Sequence, residues 1–191
     1  MNNKKGFNVY YLLLSEGTTE FNLFAYLTKV RYRELFSKSN IQFRNTVEII
    51  KDGNQIVSQG KLEGVSNLAH FIAKHTLIKE KYAGQRLFYI LDKDVDESSA
   101  IEKAIIESGD LVQFTEHNSE HLLLRLGGKN PKNPEDFANL NDFRDYCKKE
   151  FVKQFGKNAH KFKDSDFEGV FNTCTEDDIK ASFSELFGTL N

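Results

Sequence analysis

Carboxylates follow three apolar runs of this 191-residue sequence at places where they could bind a metal ion together. Glu16 and Glu20 come after the first run, Asp92 and Asp94 after the second, and Glu120 shortly after the third. Carboxylates gathered in one place repel one another, and burial disfavours their charged forms. A divalent cation such as Mg²⁺ or Mn²⁺ removes that cost, because it prefers hard oxygen ligands. These residue types therefore predict metal-dependent chemistry on a phosphate group.

The apolar runs read as strands of a buried sheet, because they are rich in large apolar residues and lack turn residues. The predicted strands are 8–14 (NVYYLLL), 46–50 (TVEII), 87–91 (LFYIL) and 111–114 (LVQF). The predicted helices are 18–33 with Thr18 or Thr19 as its cap, 65–79, a segment around 101–105, and 120–126. This alternation favours an α/β domain with a mostly parallel central sheet flanked by helices. Ligands bind beyond the carboxyl ends of such strands, where the acids lie.

The C-terminal third of the sequence has a different pattern from the α/β part. Pro131 and Pro134 mark a loop, and amphipathic helices are predicted over 135–157 and 175–188, the second with a Thr175–Asp178 capping box. We therefore divide the chain into a domain over 1–130 and a helical extension over 131–191 that packs on it.

A stripe of lysines lies on the first of these C-terminal helices. Lys149, Lys153 and Lys157 follow one another at intervals of four residues, which places them on one helix face. Such a stripe could track the phosphates of a nucleic acid, or it could be a solvated face opposite buried phenylalanines. Both interpretations remain open at this point.

Composition limits the classes of function. The net charge of -2 and the pI near 6.2 give no global electrostatic argument for nucleic-acid binding. The apolar run near the N-terminus is too short for a membrane span, so we expect a cytoplasmic protein with no membrane partner. Cys147 and Cys174 are isolated and support neither a disulfide framework nor a structural zinc site.

Competing motifs can be tested at the second acid pair. The segment that starts at Asp92 resembles the beginning of an EF-hand loop, but Glu97 stands where glycine is required and Lys103 where glutamate is required. The sequence contains no P-loop and no dinucleotide-binding glycine motif. A haloacid-dehalogenase-like phosphotransferase is a further alternative, although that family expects threonine or valine at the position of Asp96. Each acid alone could also be an ordinary helix cap or first-turn residue.

The combined motifs resemble a known family. A strand followed by Glu16-Gly17 and Glu20, with a later strand ending in Asp92-x-Asp94, resembles the TOPRIM domain of topoisomerases, primases, recombination proteins and OLD-type nucleases. Two acids in the first motif are more similar to the nuclease branch. The segment 118–124 (NSEHLLL) resembles RloB-like proteins, although Leu122 stands where tryptophan would be usual. The resemblance covers about residues 8–126.

This resemblance implies a Rossmann-like TOPRIM fold and a nuclease that hydrolyses phosphodiester bonds in DNA or RNA, in antiviral defence against phage. It implies that Glu16, Glu20, Asp92 and Asp94 are catalytic and bind Mg²⁺ or Mn²⁺, with Glu120 as a further ligand. Such proteins are often paired with an ABC or AAA-type ATPase. The alternative is a non-catalytic TOPRIM-like interaction or sensor module bound to an ATPase partner.

The resemblance leaves the supporting roles open. Glu16 could act as a general base instead of a ligand, and Asp96 could be an outer-shell acid. The cationic or titratable side chains available to neutralise charge on a phosphate are Lys93, His117, His121 and Lys129.

Overall fold

The structure is a computed structural model that describes residues 9–39, 41–44, 46–51, 54–59, 62, 67–93 and 97–190. Two of the acids considered above, Asp94 and Asp96, lie outside the described residues.

The described strands form two separate sheets. The strands are β1 (Val9–Ser15), β2 (Ile41–Arg44), β3 (Thr46–Lys51), β4 (Asn54–Gln59), β5 (Arg86–Asp92) and β6 (Leu111–Thr115). The central sheet has the order β2-β1-β5-β6, and all of its pairings are parallel. The strands β3 and β4 form an antiparallel hairpin outside this sheet.

Helices follow the strands along the chain. Those that the structure describes are α1 (Thr18–Tyr26), α2 (Arg33–Lys38), α3 (Leu68–Lys81), α4 (Ser98–Glu107), α5 (Ser119–Leu126), α6 (Leu140–Phe155), α7 (Asp164–Phe171), α8 (Glu176–Ser182) and α9 (Ser184–Gly188). The predicted α/β class with a parallel central sheet flanked by helices is therefore confirmed, and it is consistent with a Rossmann-like fold.

Both faces of the central sheet are buried. In β1, Leu12 and Leu14 pack into a core with residues of α3 and α4, whereas Tyr11 and Leu13 pack into a core with residues of α1 and of the helices after β6. A strand that is apolar on both faces needs such a double cover, which explains its unbroken apolar sequence. The helices thus cover both faces of the sheet, and polar groups lie at the ends of the strands.

The direction in which successive strands are added to the sheet reverses at β1. The chain passes from β1 to β2 on one side, and later returns to place β5 on the other side of β1. Such a reversal opens a crevice between the two strands at their carboxyl ends, which is the usual ligand position in open α/β sheets. The β1–β5 boundary is therefore where a site is expected.

Several predicted elements have different bounds or places in the structure. Helix α1 begins at Thr18 with Gly17 as its N-cap, so the prediction of a threonine cap was wrong. The helix does not continue to Arg33 either, because a π turn over Leu27–Arg31 follows it, with the amide of Tyr32 bonded to the carbonyl of Leu27 at 2.9 Å. The predicted strand at 46–50 exists, but it belongs to the hairpin and β2 takes the edge of the central sheet.

The C-terminal helices also differ in detail from the prediction. The first is shorter than 135–157, the second is divided at Phe183, and α7 was not predicted. The Thr175–Asp178 capping box is confirmed. The division of the chain at residue 130 stays a prediction.

These helices complete the core that covers one face of the sheet. The ring of Phe183 lies 6.0 Å from that of Phe24, centroid to centroid. The buried side chain of Gln113 on β6 donates to the carbonyl of Ser182 at 3.2 Å and accepts from the amide of Glu185 at 3.1 Å. The C-terminal segment is thereby bonded directly to a strand of the sheet.

Candidate functional site

The carboxylate of Glu16 lies in the crevice between β1 and β5. Its amide donates to the carbonyl of Ile90 at 3.0 Å, which continues the parallel ladder one residue past β1. The next bond of a regular ladder would run from the amide of Asp92 to the main-chain carbonyl of Glu16. The amide of Asp92 instead donates to Oε2 of Glu16 at 3.1 Å. The carboxylate of Glu16 thus replaces a main-chain carbonyl as the acceptor for the Asp92 amide, and this bond holds the side chain of Glu16 at the end of β5.

The carboxylate of Asp92 is held from the other side by β6. Asp92 pairs in register with Thr115, and residues paired in parallel strands carry their side chains on the same face. The hydroxyl of Thr115 donates to Oδ1 of Asp92 at 2.6 Å, a short bond of the kind that carboxylates make with hydroxyls. Asp92 is half-buried, whereas Thr115 is 1% exposed. The site is therefore built across three adjacent strands.

Glu20 has a separate environment between two helix starts. It is buried, and its Oε1 accepts a hydrogen bond from the hydroxyl of Ser119 in the first turn of α5. A Cβ placed on Gly17 would lie 2.8 Å from Oε2 of Glu20. Gly17 has an extended backbone with φ -142°, so its lack of a side chain serves this close approach rather than an unusual conformation. The helix dipoles of α1 and α5 both favour the negative charge.

Most of the buried polar side chains in the described residues gather at this end of the sheet. Ser15 at the end of β1 donates to the carbonyl of Gly17 at 2.9 Å, and Asn118 caps α5 by accepting from the amide of His121 at 2.9 Å. The members of this group are Ser15, Thr19, Glu20, Thr115, Asn118, Ser119 and His121. Buried polar groups are costly unless bonded, so their concentration marks a specialised region.

The remaining predicted acids are less closely joined to this group. Glu120 is half-buried in the first turn of α5, and Asp94 lies outside the described residues. Within the described part of the chain, no three histidine, cysteine, aspartate or glutamate side chains form a group that could hold a metal ion. The structure thus joins Glu16 to Asp92 and joins Glu20 to Ser119.

The chemistry of the Glu16 and Asp92 pair fits Mg²⁺ or Mn²⁺. Magnesium is usually bound by one or two carboxylates, with water and substrate phosphate completing its shell. A hydrogen bond from a neighbouring donor to a ligating carboxylate is a regular feature of metal sites, since it fixes the orientation of the ligand. The bonds from the Asp92 amide and the Thr115 hydroxyl are of this kind.

Two histidines lie next to this end of the sheet. The rings of His117 and His121 meet edge to face with centroids 4.7 Å apart, and both contact the ring of Phe143. Burial, together with the neighbouring imidazole of His117, lowers the pKa of His121. Lys93 and Lys129, the other two candidates for binding phosphate, are exposed.

Only Lys149 and Lys153 of the predicted lysine stripe lie on α6, which ends at Phe155 before the left-handed Gly156, so the prediction that Lys157 continues the same helix face was wrong. Lys153 and Lys157 are engaged in surface ion pairs. Lys153 contacts Glu150 at 3.0 Å, and Lys157 contacts Asp166 at 2.7 Å. Lys149 lines an open surface groove of about 390 Å³ together with Phe137, Asp142, Asp145, Tyr146, Glu150 and Lys153. The acids in this lining offset its lysines, which weakens the interpretation of the stripe as a phosphate track.

Sequence reasoning missed the two hydroxyl residues that hold the acids. Thr115 is the last residue of β6 and Ser119 is the first residue of α5. No motif includes Thr115, and Ser119 was noted only as part of the segment 118–124, without a role. Thr115 could have been found only by aligning the carboxyl ends of the predicted strands, because its contact with Asp92 depends on the strand register. Ser119 could not have been found without the packing of α5 against α1.

Comparison of the chain with protein-family models, with curated proteins and with solved structures gave no match. The resemblance to TOPRIM nucleases therefore rests on the residues alone. Among the helices in the described residues, none combines the length and the apolar character needed to cross a membrane.

Proposed function

We propose that this protein is a divalent-metal-dependent phosphodiesterase that cleaves DNA or RNA, with its active centre at the carboxyl ends of β1 and β5. The observation that carries this proposal is the bond between the carboxylate of Glu16 and the amide of Asp92 at the strand reversal. It joins the first acid of one motif to the first acid of the other across 76 positions of sequence. The TOPRIM-like spacing of the two motifs is in accord with this placement.

Each acid has a defined task in the proposed reaction. Glu16 and Asp92 would hold the metal ion, and Asp94 would be the next ligand along the chain. A divalent cation supplies Lewis-acid polarisation of the phosphate and a lower pKa for a bound water. The bonds from the Asp92 amide and from Thr115 keep the two carboxylates oriented before substrate binds, so less reorganisation is needed in the reaction. Hydrolysis also needs a proton acceptor for the attacking water, and Glu16 would take that role as the alternative to binding the metal ion.

Glu20 has a supporting part in this proposal. Its bond with Ser119 and its close approach to Gly17 tie the start of α1 to the start of α5. Glu16 and Thr115 lie within a few residues of these helix starts, so Glu20 stabilises the segments that carry the site. Any metal contact of Glu20 would be additional to this role.

The test is cleavage by the purified chain with Mg²⁺ or Mn²⁺, and with EDTA as the metal-free control. Supercoiled plasmid, linear duplex DNA, single-stranded DNA and single-stranded RNA would be supplied separately, so that the preferred nucleic acid is identified. We expect cleavage of at least one substrate, lost with EDTA and lost in Asp92→Asn. Glu107→Gln, an exposed acid on α4, is the matched control and should cleave normally.

Two results would contradict the proposal. Cleavage that persists in Asp92→Asn would point to a contaminating nuclease or to a different centre. Calorimetric binding of Mn²⁺ without cleavage of any substrate, alone or with an ATPase partner, would favour the non-catalytic sensor or interaction module.

A further inference from the structure

We infer that Thr115 is a positioning residue of the metal site, whose hydroxyl sets the orientation in which the carboxylate of Asp92 meets a divalent cation. This inference rests on the proposed function and adds to it a residue that carries no charge and belongs to neither acid motif. The juxtaposition behind it is a buried hydroxyl on β6 bonded to a half-buried carboxylate at the end of β5.

The geometry of the contact makes it directional. The donor and the acceptor lie on paired positions of adjacent parallel strands, and the oxygen atoms are 2.6 Å apart. Both strands are held in the sheet up to this position, so the distance between them is fixed by main-chain bonds. A carboxylate held at Oδ1 in this way is restricted in its rotation about its side-chain torsions.

The donor itself has little freedom to turn. Thr115 is 1% exposed, and the branched Cβ of threonine restricts its first side-chain torsion. The hydroxyl therefore faces Asp92 before any cation arrives. An oriented ligand binds a metal more tightly than a mobile one, because the cost of ordering it has been met during folding.

The opposite end of the sheet offers a matched contact. There the hydroxyl of Ser108 donates to Oδ2 of Asp110 at 2.7 Å, and both residues are at least partly buried. This is also a contact between a hydroxyl and a carboxylate, at the amino ends of β5 and β6 and away from the proposed site, and the Ser108 hydroxyl lies 2.7 Å from the carbonyl of Ile105 as well. A loss of metal affinity that came only from general destabilisation would appear in both places.

The experiment measures the dissociation constant of Mn²⁺ by calorimetry, together with thermal unfolding, for the full chain and three variants. Thr115→Val removes the hydroxyl and keeps the branched shape, Thr115→Ser keeps the hydroxyl, and Ser108→Ala removes the matched hydroxyl. We expect Thr115→Val to bind Mn²⁺ about 10- to 100-fold more weakly. Thr115→Ser and Ser108→Ala should bind like the unsubstituted chain.

Equal Mn²⁺ affinity of Thr115→Val and the unsubstituted chain would overturn this inference and leave the proposed function intact. Equal weakening by Ser108→Ala would overturn it as well, since the effect would then be one of stability. Absence of Mn²⁺ binding by the unsubstituted chain would overturn both proposals. If Thr115→Val lacks a cooperative unfolding transition, Thr115→Ala takes its place under the same criteria.

Discussion

The two ends of the central sheet hold their acids by different contacts. At the amino ends of β5 and β6, Asp110 is 3% exposed and is paired with the ammonium group of Lys79 at 2.8 Å. It also accepts from the amide of Leu87 at 2.9 Å and from the hydroxyl of Ser108 at 2.7 Å. At the carboxyl ends, the contacts described above for Glu16, Glu20 and Asp92 come from neutral donors.

The difference separates a structural acid from acids that are oriented for a ligand. A buried carboxylate with a cation and several hydrogen bonds has its charge compensated inside the protein. At the carboxyl ends, amide and hydroxyl donors fix the directions of the carboxylates of Glu16 and Asp92, as donors to metal ligands do. Four predictions test this difference between the two ends, from the largest expected effect to the smallest.

Asp92→Asn should remove the function at the carboxyl end while leaving the fold intact. Loss of a carboxylate ligand is expected to reduce metal-dependent cleavage by on the order of 100-fold or more, since even indirect partners cost about 10- to 100-fold. Asp92 is only half-buried, so thermal unfolding should change little. Cleavage assays and melting curves on the same preparation check both statements. A variant that melts much earlier would place Asp92 among the structural acids.

Asp110→Asn should have the opposite outcome. The substitution breaks the ion pair with Lys79 and weakens the bonds from Leu87 and Ser108, so the free energy of unfolding should fall by about 2 to 3 kcal/mol. Cleavage per folded molecule should be unchanged. Urea unfolding measures the loss, and Glu34→Gln, in an exposed pair with Lys38, is the control with almost no effect. A selective loss of cleavage would break the contrast between the two ends.

Gly17→Ala tests the close approach at the carboxyl end. The new Cβ would lie 2.8 Å from Oε2 of Glu20, so Glu20 must move and its bond with Ser119 is weakened. We expect a loss of about 1 to 2 kcal/mol in the free energy of unfolding. Gly169→Ala in α7 is the matched control, because no atom lies within 4 Å of its new Cβ and alanine is the better helix former. An equal change in the free energy of unfolding in Gly17→Ala and Gly169→Ala would contradict the expected clash between the new Cβ and Glu20.

The pH dependence of stability should come in part from two buried histidines. Burial lowers the pKa of His75, which contacts the hydroxyl of Tyr89 at 2.6 Å, and burial also lowers the pKa of His121. Below the ordinary histidine pKa of about 6.5 the unfolded chain takes up protons that the folded chain does not, so stability should fall as the pH decreases. Melting temperatures at about pH 7.5 and about pH 5.5 measure this loss.

His121→Leu and His75→Leu should each reduce the pH-dependent part of the loss. The difference in melting temperature between the two pH values is compared within each variant, so the pH-independent destabilisation caused by the substitution cancels. Asp166 and Glu176 have lowered pKa values through their bonds with Lys157 and with Tyr32, so they stay charged throughout this range. An unchanged pH dependence in both histidine variants would show that other groups titrate on unfolding.

The sequence was sufficient to predict where the main strands end. An apolar run buried on both faces stops at its first polar residue, so the places of Glu16 and Asp92 at the carboxyl end follow from local pattern. The strand β2, with the sequence IQFR, was not predicted because four alternating residues are too few to separate a strand from a loop. The helix α7 was missed because its eight residues are too few to show a clear helical period.

The contacts of the site could not be predicted because they depend on register and packing. The bond from Thr115 to Asp92 requires the pairing of β5 with β6, and the bond from Ser119 to Glu20 requires the position of α5 beside α1. A single sequence shows the spacing of apolar residues within each strand or helix, but it does not show in which register neighbouring strands pair or where one helix lies beside another. Residues with no charge are the most easily missed in this way.

The bonds of Gln113 with residues 182–186 bear on how the chain folds as it is synthesised. The face of β6 that carries Gln113 is covered by the segment that leaves the ribosome last among the described helices. The ring of Phe24 likewise gains its contact with the ring of Phe183 only after that C-terminal segment has been synthesised. Contacts between distant parts of a chain slow folding and prolong the exposure of apolar surface. A nascent chain that ends before residue 182 would therefore leave this apolar surface uncovered, and β6 would gain these contacts only after α9 is made.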